Sequence, residues 1–134
     1  MNQVILDSDT LSDFLRGNKE IAQKFEAHIR TYEFIYFTII TYYEILNGLL
    51  YKDAKKQLKT FLEFCEMNRM LILTKQSAYK SAKIFSDLRK NGKFIGHTDI
   101  LIAGITLEND LTLVTNNSRH FKLVDELRIE NWTQ

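Results

Sequence analysis

Three acids of this 134-residue chain fall just after an apolar strand or at a helix start, the place in an α/β protein where side chains meet ligands. Asp7 closes the run Val4-Ile5-Leu6, which reads as a short strand buried on both faces of a parallel sheet. Glu44 lies one to two turns into the helix that follows a second apolar run, Phe34-Ile35-Tyr36-Phe37. Asp99 sits in the first turn of Thr98–Ile105, with Thr98 as the expected cap. In a parallel sheet these acids share one edge, and Asn116 and Asn117 join them after a further strand, Thr112–Thr115. Two carboxylates ~4 Å apart repel by about 4 kcal/mol at an effective dielectric near 20, so a cluster needs protons or a cation. With no Cys or paired His at ligand spacing, oxygen donors favour Mg²⁺ or Mn²⁺ over zinc.

Each residue also has a plainer role. Asp9 or Ser8 is the expected cap of the first helix, which leaves Asp7 ahead of the cap as an expensive buried carboxylate. Asp99 would complement the helix dipole, an effect of roughly 0.3–1 kcal/mol. Glu44 would be solvated, although Ile40, Tyr43, Ile45 and Leu46 leave it little polar face. His120 beside Phe121 is expected to pack or cap, His28 to lie on the surface, and His97 to shape the turn before Asp99.

The elements that must position the acids follow from periodicity. A helix from Thr10 ends at Gly17-Asn18, and a second, Lys19–Arg30, aligns Ile21, Phe25 and Ile29. Thr38 caps a helix to Tyr51, with Gly48 as a close-packing point. Asp53–Asn68 should bury Leu58, Phe61, Leu62 and Cys65, and Gln76–Asn91 should turn Tyr79, Ala82 and Phe85 inward. Between them Met70–Leu73 reads as a strand. Thr98–Ile105 is apolar nearly all round and so belongs at the centre. Asn116–His120 reads as a polar loop, and Arg128–Trp132 as an edge strand. Strands alternating with helices imply βαβ units, a parallel sheet and helices on both faces.

Composition sets outer limits. Hydrophobic residues are 45% of the chain, and no window approaches the ~18–20 apolar residues of a membrane span. No signal-peptide pattern opens the sequence, and the single Cys65 fits a reducing cytoplasm. A net charge of +1 excludes nucleic-acid binding by bulk charge but leaves room for a local basic face.

Four motifs, in order, carry a family likeness: the strand ending in Asp7; Thr41-x-x-Glu44; Ile95-Gly96-x-x-Asp99-x-x-Ile102-Ala103; and Leu113-Val114-Thr115-Asn116-Asn117 with His120-Phe121. Together, from Val4 to Trp132, they resemble a PIN domain, and more narrowly the VapC toxin ribonucleases of bacterial VapBC toxin–antitoxin pairs. The resemblance implies a single domain over residues 1–134, a PIN-like three-layer α/β/α fold with a central, mainly parallel sheet of four to five strands. It further implies a cytoplasmic, homodimeric, Mg²⁺- or Mn²⁺-dependent endoribonuclease acting on structured RNA such as tRNA or rRNA. A small antitoxin would insert a cationic side chain into the acidic pocket along a groove lined by Phe14, Tyr42, Tyr43 and Leu46. By the same likeness Asp7, Glu44 and Asp99 hold the metal, Asn117 fills the fourth catalytic position, and Thr115 shapes the pocket. Arg16, Lys52, Lys55, Arg89 and Lys93 are the candidates for the RNA backbone. The chain departs from the family pattern at Asn117, where many relatives carry Asp, and at His120, where some carry an acid; whether one metal binds or two stays open. Alternatives are an RNA-processing nuclease without a toxin role and a non-catalytic RNA- or partner-binding module. Asp7-Ser8-Asp9-Thr10-Leu11 also resembles the aspartate pair of haloacid-dehalogenase phosphotransferases, with Leu11 in the place of their Thr.

Overall fold

The architecture follows from short strands, the inner ones buried and the two outer ones largely exposed, with helices between them. A computed structural model describes residues 2–133. In chain order the elements are β1 (Val4–Leu6), α1 (Ser8–Leu15), α2 (Lys19–Tyr32), β2 (Tyr36–Thr38), α3 (Ile39–Tyr51), α4 (Lys55–Met67), β3 (Arg69–Leu71), α5 (Lys75–Lys90), α6 (His97–Glu108), β4 (Thr112–Val114), α7 (Ser118–Phe121) and β5 (Arg128–Glu130). The strands form one sheet in the order β3-β2-β1-β4-β5, and every pairing is parallel. β1 is the middle strand, with Ile5 opposite both Tyr36 and Leu113. No helix of the described residues is long and apolar enough to cross a membrane.

Because successive strand side chains point to opposite faces, the sheet divides the interior into two cores. Val4, Leu6, Phe37 and Val114 pack with Leu11, Ile21 and Phe61 on one face. Ile5 and Leu113 pack with Ile100, Ile102 and Ile105 on the other. The near-uniform apolarity of α6 thus has the expected outcome, burial of Ile100 and of Ile102 through Thr106. Ile21, Phe25 and Ile29 of α2 also share the face that meets the first core.

Several finer expectations are corrected. The inward face of α5 is not Tyr79 and Ala82, which are exposed, but Ser77 and Ser81, with Ile84, Phe85 and Leu88 partly covered. The reason is the close approach of α6. A Cβ on Gly104 would lie 1.9 Å from Ser81 Oγ and 2.6 Å from Ser77 O, so only small residues fit there. Gly104, not Gly48, is therefore the close-packing glycine; a Cβ at Gly48 meets nothing within 4 Å. In α4, Phe64 is buried and Leu62 is 39% exposed, and the helix starts at Lys55 because Asp53 adopts a left-handed turn at φ 54°. β3 ends at Leu71, leaving Ile72 and Leu73 in the connection to α5. The polar loop after β4 contains the one-turn α7, and Trp132 is buried beyond the end of β5. His28 is not on the surface: it is 1% exposed, with its ring 4.6 Å from that of Tyr32 and 6.4 Å from that of Trp132.

Candidate active site

Asp7 is 4% exposed and does three local jobs at once. Its backbone N–H extends the β1–β4 ladder by donating to Val114 O (2.9 Å). The expectation that Ser8 or Asp9 caps α1 fails, since Asp7 is itself the N-cap, its Oδ1 accepting from the Ser8 N–H at 2.8 Å. The helix begins one residue after the strand, so the strand-end acid and the cap coincide. The remaining oxygen, Oδ2, accepts from the hydroxyl of fully buried Thr115 at 2.7 Å.

Ser8 carries the connection onward. Its hydroxyl donates to Glu44 Oε1 (2.6 Å), with Thr41 Oγ1 3.0 Å away. Glu44 occupies the second turn of α3, a helix fixed at its start by the Thr38 side chain accepting from the Thr41 N–H. Asp9 belongs to the same edge, because the Asn116 N–H reaches its two oxygens at 3.2 and 3.3 Å. The Asn116 amide donates to Asp13 Oδ2 (2.8 Å), while its own carbonyl oxygen is buried without a hydrogen-bond partner.

Asp99 stands in the first turn of α6, whose N-cap is Gly96 rather than Thr98. Asn117 donates its backbone N–H to Thr115 Oγ1 (2.9 Å), and its side-chain amide lies 2.9 Å from His120 Nδ1. His120 is more than a neighbour of Phe121, for its charge is felt at Asp99. Asp7, Glu44, Asp99, Asn117 and Thr115 thus meet at one edge, with His120 beside them.

The carboxylates press on one another. Burial, then the charge of Asp9, raises the Asp7 pKa to about 7, against the lowering effect of the Thr115 and Ser8 hydrogen bonds. Burial and then Glu44 raise that of Asp99, with Asp9 adding to the rise and His120 opposing it. Such a group of acids disfavours its own ionisation and gains from a cation. The donor chemistry fits a hard divalent ion: carboxylate oxygens from three elements and the orphaned carbonyl of Asn116. Among the described residues no three His, Cys, Asp or Glu side chains are already gathered around an ion position.

A cleft of about 320 Å³ opens beside this edge between α1 and α3, lined by Ser8, Asp9, Arg16, Glu44, Gly48 and Lys52 among others. It adjoins one of about 340 Å³ with Leu15, Ile45, Leu49 and Lys56 in its wall. These aliphatic residues, rather than Phe14, Tyr42 and Leu46, form the open apolar lining. The latter three pack against the core, and Tyr43 is 62% exposed. Arg16 and Lys52 therefore border the acids. Lys55, Arg89 and Lys93 are exposed but line neither cleft. A larger cavity, about 630 Å³, lies at the starts of β4 and β5 among Lys80, Asp87, Lys93, Asp110 and Arg128. None of the site acids lines it.

Ser8 and Asp9 are the members that sequence reasoning overlooked. An acid two residues after Asp7 was a visible signal, masked by its value as a cap; the Ser8–Glu44 contact spans 36 residues and had none.

Comparison with known proteins places the fold in a family. A family model described as the PIN domain matches residues 4–127. Ribonuclease VapC2 of Rickettsia felis is 29% identical over 90 residues, 66% of this chain and 67% of that protein. The tRNA(fMet)-specific endonuclease VapC of Salmonella typhimurium is 27% identical over 134 residues, 98% of this chain and 99% of its own. Among solved structures, a chain in DNA-bound VapBC from Salmonella typhimurium superposes with a TM-score of 0.89 at 26% identity, covering 98% of this chain and 99% of that one. VapBC2 of Rickettsia felis bound to a promoter DNA fragment gives 0.87 at 23% identity over 96% and 98%, a likeness of fold. With the matched residues running from β1 to the approach to β5, the chain belongs to the PIN-domain family.

Proposed function

We propose that this chain is a VapC-type endoribonuclease, the toxin of a toxin–antitoxin pair, which hydrolyses phosphodiester bonds in structured RNA such as tRNA or rRNA with Mg²⁺ or Mn²⁺. The observation that carries this reading is the hydrogen-bonded set in which Ser8 meets both Asp7 and Glu44 and Thr115 meets Asp7, at the edge where the sheet opens, with Asp99 near enough for Glu44 to raise its pKa. Asp7, Asp99 and Glu44 would hold the ion. A divalent ion bound there supplies Lewis acidity and an acidified water.

The protein's own groups do the rest. Thr115 and the Ser8 N–H keep the Asp7 carboxylate oriented, and the Ser8 hydroxyl does the same for Glu44. In this arrangement the Asn117 amide occupies one nitrogen of the His120 ring, leaving the other to donate toward a phosphate oxygen. Arg16 and Lys52, bordering the same cleft, place positive charge where the RNA backbone arrives.

The apolar lining of Leu15, Ile45 and Leu49 suits a helical antitoxin segment ending in a cation among the acids. Support for that partner comes from the VapBC complexes among the structural neighbours. Exposed Tyr43, Leu50, Tyr51 and Met67 are consistent with a homodimer in which such surfaces are covered, acting in the cytoplasm. Purified chain should cut RNA in Mg²⁺ and stop on chelation. Its expression alone should arrest growth, with rescue by the adjacent small gene. Harmless expression of an active nuclease would remove the toxin role, and metal-independent or absent cleavage would remove the enzyme.

A further inference from the structure

The aromatic residues beside α6 have no part in the site described so far. Phe94 stands three residues before α6 and is 66% exposed. Single exposed aromatics are ordinary, but this one is backed by an ordered set of rings. Phe85 of α5 meets Phe94 edge-on, with centroids 5.9 Å apart and planes at 75°, and stacks on His97 at 4.7 Å and 23°. The Arg89 guanidinium lies 5.8 Å from the centre of the Phe85 ring. Arg89, Lys90 and Lys93 are all exposed at this end, with Asp87 the one acid in the same stretch. His97 opens α6 and Asp99 is its third residue, so these rings adjoin the acidic edge.

We propose that Phe94, supported by Phe85 and His97, is a stacking platform for one unstacked nucleobase of the RNA next to the scissile phosphate. The proposal rests on the nuclease reading and adds to it a base-binding site that selects looped or single-stranded RNA. Every base offers a π-face, and proteins that bind unpaired RNA set aromatic rings and arginine planes against it. The exposed cations fit the phosphates on either side of such a base. Three exposed cations against one acid favour a chain with a negative charge at every unit beside the ring. A base bound here would also account for an exposed aromatic in the connection that leads directly into the Asp99 helix.

The test uses the full chain and an RNA stem-loop carrying 2-aminopurine in its loop. Stacking quenches that fluorophore, and the measurement requires binding but no cleavage. Wild-type protein should quench it. Phe94→Ala should abolish the quench and weaken binding by about five- to a hundredfold, the range for loss of one stacked base. Phe94→Trp should restore both. Replacing the stacked base by an abasic nucleotide should lower wild-type affinity by the same factor, with no further loss in Phe94→Ala. Tight binding that is unquenched, or insensitive to Phe94→Ala, overturns the platform while leaving the nuclease intact. Wild-type protein that neither binds nor cuts RNA overturns both. If Phe94→Ala leaves RNA binding unchanged but breaks a complex with the neighbouring gene product, the face belongs to that protein and the proposal is wrong.

Discussion

Asp7 is 4% exposed and its two oxygens accept hydrogen bonds from Ser8 and Thr115, whereas Asp99 is half-buried and accepts none from the described residues. The same residue type, at the same edge, is handled in two ways. Asp7 is placed by the register of the middle strand and locked by a cap and a buried hydroxyl. Asp99 is placed only by the start of a helix and has its charge opposed by Glu44. The difference separates a fixed half of the site, built from β1, β4 and α1, from a half with free valences, carried by α6 and α7. An oxygen with no protein donor is available to an ion or a substrate; one already accepting two bonds serves as the reference point.

Breaking the fixed half should have the largest effect. Asp7→Asn keeps the cap geometry but removes the charge, and metal-dependent cleavage should fall by more than the roughly 10–100-fold typical of groups that merely support a ligand. The same change should stabilise the metal-free protein. In the folded chain Asp7 keeps its proton up to about pH 7, while in the unfolded chain it loses it near 3.8. Between those values the unfolded state binds fewer protons, so stability falls as pH rises through the window and then levels. At ~1.36 kcal/mol per unit, the loss is about 4 kcal/mol. Denaturant melts of chelated protein from pH 4 to 8 should show this slope in the wild type and a flatter one in Asp7→Asn.

A smaller effect is expected from Thr115→Val, which leaves Asp7 charged but removes the donor to Oδ2. Activity should drop within the ~10–100-fold range of a supporting residue. The pH range over which stability falls should also extend upward, because the hydrogen bond lost is one that holds the Asp7 pKa down. Unchanged activity and pH profile would mean that the fixed half is not fixed by this contact.

The least effect sharpens the fourth position. Asn117→Asp adds a charge beside Thr115 and should lower the Mg²⁺ needed for half-maximal cleavage. His120→Ala should leave the metal requirement where it is, since the ring is engaged by the Asn117 amide. Calorimetric metal titration checks both. No response to Asn117→Asp, together with a large loss on His120→Ala, would move the fourth position to His120.

The elements that hold the site were readable because their signals are local. Val4-Ile5-Leu6 ending in Asp7 fixes a middle strand, Thr38 a cap, and the unbroken apolarity of Ile100–Ile105 a central helix. What could not be read depends on contacts far apart in sequence. Ser77 and Ser81 are inside because Gly104 comes close, so hydropathy alone turned α5 the wrong way. His28 is buried by Trp132, more than a hundred residues later, and no window around His28 contains that information. In the site, Asp9 passed for a cap because the same chemistry serves both roles, and only the Asn116 N–H shows it facing the other acids.

The central claim, that the acids of this edge form one metal-dependent nuclease centre, is tested most directly by the less supported member. Asp99→Asn changes one half-buried carboxyl that accepts no hydrogen bond from the described residues, so the fold should melt at or above the wild-type temperature. The account predicts that this protein shows no Mg²⁺-dependent cleavage of an RNA that the wild type cuts; cleavage at the wild-type rate would contradict it.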